Sequence, residues 1–171
     1  MVSKRGSLES LLDRAKNREE EYQWLESVVL YEKALGLIKR TDVSRKGKLR
    51  EKIGFCLHRA AFQAETPAEF EKRMRLAIEA YEKSKRFYDK LTDKQKTARI
   101  LRCDAITKYL SSWITSTPPE KRRLLDECVE LEAKALEAFS KSGEMQEYGR
   151  IYGALSHVFW LRPALNGPGR S

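Results

Sequence analysis

The phrase "YEKALGLIK" occupies residues 31–39, "YEKSKRFYD" residues 81–89 and "EAKALEAFS" residues 132–140. A helical phrase that returns after 50 residues and again after 51 restricts the chain to architectures made by stacking one supersecondary unit. Aligning the copies matches Trp24, Ser27, Tyr31, Ala34 and Ile38 with Met74, Ala77, Tyr81, Ser84 and Tyr88. The third set is Leu125, Cys128, Glu132, Ala135 and Phe139. Steps of three or four place each set along one helical face. The sets read large, small, large, small, large, with Glu132 the exception. Small residues let another helix approach, and the large ones fill the space beside the contact.

The helix starts repeat as well. "TPAE" (66–69) and "TPPE" (117–120) are 51 residues apart. Thr66 and Thr117 suit N-caps, Pro67 and Pro118 the first helical position, and Glu69 and Glu120 the return bond of a capping box. Asn17 with Glu20 is the weaker counterpart before the first copy, and "TDKQ" (92–95) reads as another box. Gly143 suits the end of the third phrase helix.

Between the copies lie amphipathic partners. They carry Leu8, Leu11, Leu12 and Ala15; Leu57, Ala60, Ala61 and Ala64; Ile106, Tyr109, Leu110 and Trp113; and Ile151, Ala154, Leu155 and Val158. With nine glycines and five prolines in 171 residues, little breaks a helix. The expectation is an all-α chain of about seven helices in a single domain over 1–161. Hairpins fall at about 7–41, 45–91 and 93–142, a terminal helix at 144–161, and a tail at 162–171.

Small residues at Ser27/Ala77/Cys128 and Ala34/Ser84/Ala135, with Tyr31 and Tyr81 between them, resemble the tetratricopeptide repeat (TPR) family. "LYEKALGLIK" (30–39) is close to that family's second-helix pattern. The resemblance covers roughly residues 7–161. The family repeats about every 34 residues, so the longer period here implies longer helices. Residues 7–40 alone also resemble the microtubule-interacting and trafficking domain. The TPR resemblance implies a right-handed superhelical array of antiparallel hairpins with a concave groove for protein or peptide segments. First-helix residues line that groove, which makes His58, Arg59, Asp104, Lys108 and Arg150 the peptide-binding candidates.

Composition narrows the function classes. Cys56, Cys103 and Cys128 form no C-x-x-C pair, and His58 and His157 are the two histidines. Neither a disulfide framework, a metal site nor a catalytic cluster is expected, and a reducing cytoplasm is the simplest setting. No apolar run is long enough for a membrane span, and no secretory signal is expected. Gly-rich phosphate loops, nucleophile elbows and H-E-x-x-H patterns do not occur. The run Glu19–Glu21 reads as a solvated helical turn. No enzymatic activity and no cofactor are expected. High charge with few Asn and Gln points toward a thermophilic source.

A formal charge of +9 raises nucleic acid as an alternative partner. Arg45, Lys48, Lys52 and Arg59 share a face; Lys83, Arg86, Lys90 and Lys94 nearly make another; "KRR" (121–123) adds a cluster. The aromatics, however, fall on the packing stripes, which argues against base stacking. The leading expectation is a non-catalytic scaffold whose groove takes a protein segment of negative charge. A third reading is assembly: Val158, Phe159, Trp160 and Leu161 cover more than one face of the last helix. They suit self-association or a continuation of a longer chain.

Overall fold

The computed structural model describes residues 4–142, which form six α-helices and, among those residues, no strand. These are α1 (Lys4–Glu20), α2 (Trp24–Leu37), α3 (Val43–Ala61), α4 (Pro67–Tyr88), α5 (Gln95–Ile114) and α6 (Pro118–Ser142). The expected seventh helix, Gly143 and Arg150 lie outside the described residues. So do Val158, Phe159, Trp160 and Leu161. The chain divides between Lys90 and Leu91 into two compact units. That boundary falls between the second and third expected hairpins.

In the first unit, α1 does not stop where the sequence suggests. Asn17 lies inside the helix, so the Asn17–Glu20 capping box is not formed. The helix ends at Tyr22, whose φ of 59° is in the left-handed region. There the Tyr22 N–H donates to the Glu19 carbonyl at 3.0 Å and the Gln23 N–H to the Arg18 carbonyl at 2.8 Å. This paired closure is the Schellman motif, which usually uses glycine at the left-handed position.

The later helices start with better chemistry. Asp42 caps α3, accepting from the Arg45 N–H at 3.0 Å, three residues before the expected start of that hairpin. Thr66 caps α4, accepting from the Glu69 N–H at 3.2 Å. The Glu69 carboxylate returns a bond, accepting from the Glu65 N–H at 3.2 Å. Pro67 occupies the first helical position as expected.

Helices α2 and α3 run antiparallel: Arg50 pairs with Glu32, and Gln63 donates to the Tyr22 carbonyl. Helices α3 and α4 are antiparallel too, with Ser84 Oγ donating to the Gly47 carbonyl and Arg73 to the Ala60 carbonyl. Helix α1 runs alongside α3 in the same direction, through Glu9–Arg45 and Glu19–Lys52. In the second unit α5 and α6 are antiparallel, with Lys108 on Glu127 and Lys121 over the Trp113 ring. Here the expected "TDKQ" box does not form: Lys94 is the N-cap and makes no side-chain capping bond. Asp93, not Thr92, takes an orphan donor, the Gln95 N–H at 3.0 Å.

Every residue of the three aligned sets is buried. Tyr88 and Phe139 are fully so, and burying such a ring is worth about 1.5–3 kcal/mol. The structure extends the repeat to the first helix of the second and third pairs. Gly47, Gly54 and Ala61 on α3 are buried at seven-residue steps, and Ala98, Ala105 and Ser112 on α5 stand 51 residues after them, also buried. Small residues thus line the facing helix as well as the second helix. The stripes read from sequence on the first helices are less sharply buried: Ile106, Tyr109 and Trp113 are half-exposed.

Candidate functional site

The first unit holds a polar junction where α1, α2 and α3 meet. Its hub is Glu19, mostly buried rather than solvated as its acidic run suggests. The Tyr31 hydroxyl donates to Glu19 Oε1 at 2.5 Å, the Cys56 thiol donates to the same oxygen at 3.6 Å, and Lys52 Nζ reaches Oε2 at 3.2 Å. Ser27 Oγ beside them donates to the Ala15 carbonyl at 2.9 Å. Burial first, then the Glu19 carboxylate, raises the Tyr31 hydroxyl far above its ordinary value. The same two causes push the Cys56 thiol up to about 12. A protonated thiol at neutral pH is a poor nucleophile. The junction therefore joins three helices and supplies no activated sulfur.

The second buried carboxyl is Glu132, at 3% exposure in the place held by Tyr31 and Tyr81 in the other sets. Among the described residues its Oε2 is buried without a hydrogen-bond partner. Burial raises the group to about 7, against a smaller opposing pull from Arg102. By the α5–α6 register it falls opposite Ala105, where α3 has Gly54 facing Tyr81.

Above the Glu19 junction, the outer face of α3 carries Lys48, Lys52, Phe55, Arg59 and Phe62, all exposed at steps of four, three, four and three. This is the face turned away from Gly47, Gly54 and Ala61. Phe55 is 39% exposed, Phe62 48% and Tyr22 of the adjoining turn 66%. Trp24 links them edge to face, 5.8 Å from Phe55 and 6.0 Å from Tyr22 between ring centroids. The Arg59 guanidinium lies 5.6 Å over the Trp24 ring, and the Lys52 ammonium 5.9 Å from the Phe55 ring centre. Phe62 packs edge to face with His58 and Phe70. The expectation that the aromatics fall on packing stripes is therefore corrected for Tyr22, Phe55 and Phe62. For Phe55 and Phe62, positions off the Leu57–Ala60–Ala61 stripe were the sequence signal for it.

The predicted site residues fare differently. His58 is half-buried with its ring 5.4 Å from Phe62, while Arg59 is exposed. In the second unit, Asp104 and Lys108 border a groove of about 330 Å³ with Glu127, Glu130, Leu131 and Lys134. Lys108 Nζ is 2.6 Å from Glu127, so its charge is already met. Arg150 lies outside the described residues.

Each basic stripe is partly paired. Arg45 meets Glu9, Lys83 meets Glu79, and Arg123 meets both Glu120 and Glu127. Lys48 enters no ion pair among the described residues. Among those residues no three His, Cys, Asp or Glu side chains gather as a metal set, and no helix is long and apolar enough to cross a membrane. The chain matches no protein-family model and no curated protein.

Proposed function

We propose that this chain is a non-catalytic scaffold of TPR-like helical hairpins that binds a protein segment. The right-handed superhelix and the seventh helix belong to this reading. The observation that carries it is the outer face of α3, where exposed rings alternate with cations along one stripe. Hairpins whose inner faces are used up by packing offer their outer residues to partners, and stacked hairpins present such residues in a row. Arginine and large aromatics are the side chains that carry most binding energy at protein interfaces.

Single-stranded nucleic acid is a second reading, favoured by the same exposure of Tyr22, Phe55 and Phe62 beside lysines. Parallel pull-downs with and without nuclease separate the two. Retention of a protein that binds the purified chain directly supports the scaffold. Recovery of RNA alone, lost at moderate salt, overturns it.

A further inference from the structure

Resting on the scaffold reading, we infer that the Tyr22–Phe55–Arg59–Phe62 face is the docking surface and that its partner is an acidic segment carrying aromatic or large aliphatic side chains. The turn at Tyr22 gives the first argument. A left-handed φ costs a non-glycine residue about 1 kcal/mol or more. Here the residue holding it is a tyrosine that is mostly in solvent, with its carbonyl fixed by Gln63 Nε2 at 3.1 Å. Glycine would close α1 with the same Schellman bonds and no such cost. The ring does little for the core, so its worth lies in what it presents outward.

Charge gives the second argument. Arg59 places its guanidinium on the Trp24 ring rather than on a carboxylate, and Lys48 lies three turns earlier on the same face. Carboxylates of a partner gain charge-assisted hydrogen bonds there, while its apolar side chains cover Tyr22, Phe55 and Phe62. Nucleic acid fits less well. A strand of phosphates would run past the exposed Glu20, Glu21 and Glu26 beside Tyr22, whereas a peptide needs carboxylates only at Arg59 and Lys48. Arg18 bridges Glu21 and Glu26, which lessens their repulsion of a partner's few carboxylates.

The test uses the full chain, a phage-displayed random dodecapeptide library and, in parallel, a fluorescein-labelled uridine dodecamer RNA. Selection should enrich peptides with acidic residues around an aromatic. A synthetic version should lose roughly tenfold or more in affinity for Arg59→Glu and for Phe55→Ser, with unchanged circular dichroism. Tyr22→Gly should raise Tm while weakening the same peptide, a pair of changes that a merely structural tyrosine does not produce. Enriched peptides that bind these variants as well as the parent, or that are basic, overturn this surface and leave the scaffold standing. No enrichment, or salt-sensitive binding of the RNA alone, removes both.

Discussion

The ring of Tyr81 occupies the space that a side chain on Gly54 would need: a Cβ there would lie 2.7 Å from Tyr81 Cε2. One heptad away, Tyr88 stands in the same relation to Gly47. Both rings are buried, and Ser84 on α4 adds a 2.8 Å hydrogen bond to the Gly47 carbonyl between them. Two aromatic rings seated on two glycines thus set how closely α3 and α4 approach.

Gly54→Ala and Gly47→Ala should each destabilise the first unit. Displacing a packed ring costs about 1–3 kcal/mol, only partly offset by the roughly 1 kcal/mol that alanine gains over glycine in a helix. Gly36, in α2, has nothing near its missing Cβ. Gly36→Ala should therefore stabilise by about 0.5–1 kcal/mol. Opposite shifts in the urea midpoint check the pair.

Glu132 should make stability depend on pH in an unusual direction. Its folded value of about 7 lies above its ordinary value of 4.5, so the folded chain holds a proton that the unfolded chain has released. The stabilisation is whole below about pH 4.5, fades as pH rises through the window, and is gone above pH 7. The full loss is about 3 kcal/mol at most. Urea melts of the parent and Glu132→Gln between pH 5 and 8 should diverge, with the variant relatively more stable as pH rises. Parallel curves would count against a buried neutral carboxyl.

Thr66→Ala should cost about 1 kcal/mol, because the Glu69 N–H loses its acceptor at the start of α4. Thr92→Ala should change stability by less than about 0.5 kcal/mol, since Asp93, not Thr92, accepts from the first N–H of α5. Thermal melts of the two variants decide it.

Cys56, Cys103 and Cys128 are all free and buried. Burial, then nearby carboxylates, pushes Cys56 and Cys128 up to about 12. A thiol reagent at pH 8 should leave the native chain unlabelled and modify all three once guanidinium unfolds it. Rapid labelling of the native state would contradict the packing at both the Glu19 junction and the α5–α6 face.

Much of the fold is legible in the residues because helical packing faces are periodic. Steps of three and four pick out Trp24 to Ile38, Met74 to Tyr88 and Leu125 to Phe139, all of which are buried. The Thr-Pro-x-Glu start of α4 is equally local, needing four neighbouring residues and nothing else. The candidate site is far less legible. Arg59 is exposed as expected, but Lys108 is neutralised by Glu127 on another helix, a pairing across nineteen residues that no local pattern announces.

By itself, then, the sequence determined that the described chain is helical and which face of each repeated helix turns inward. Those properties depend on interactions within one or two turns. Tertiary structure alone decided that Glu19 leaves solvent for Tyr31, Cys56 and Lys52, and that Gly47 and Gly54 receive tyrosine rings. Each outcome depends on which helix lies alongside and in what register, because burial and charge pairing are set by neighbours distant in the chain.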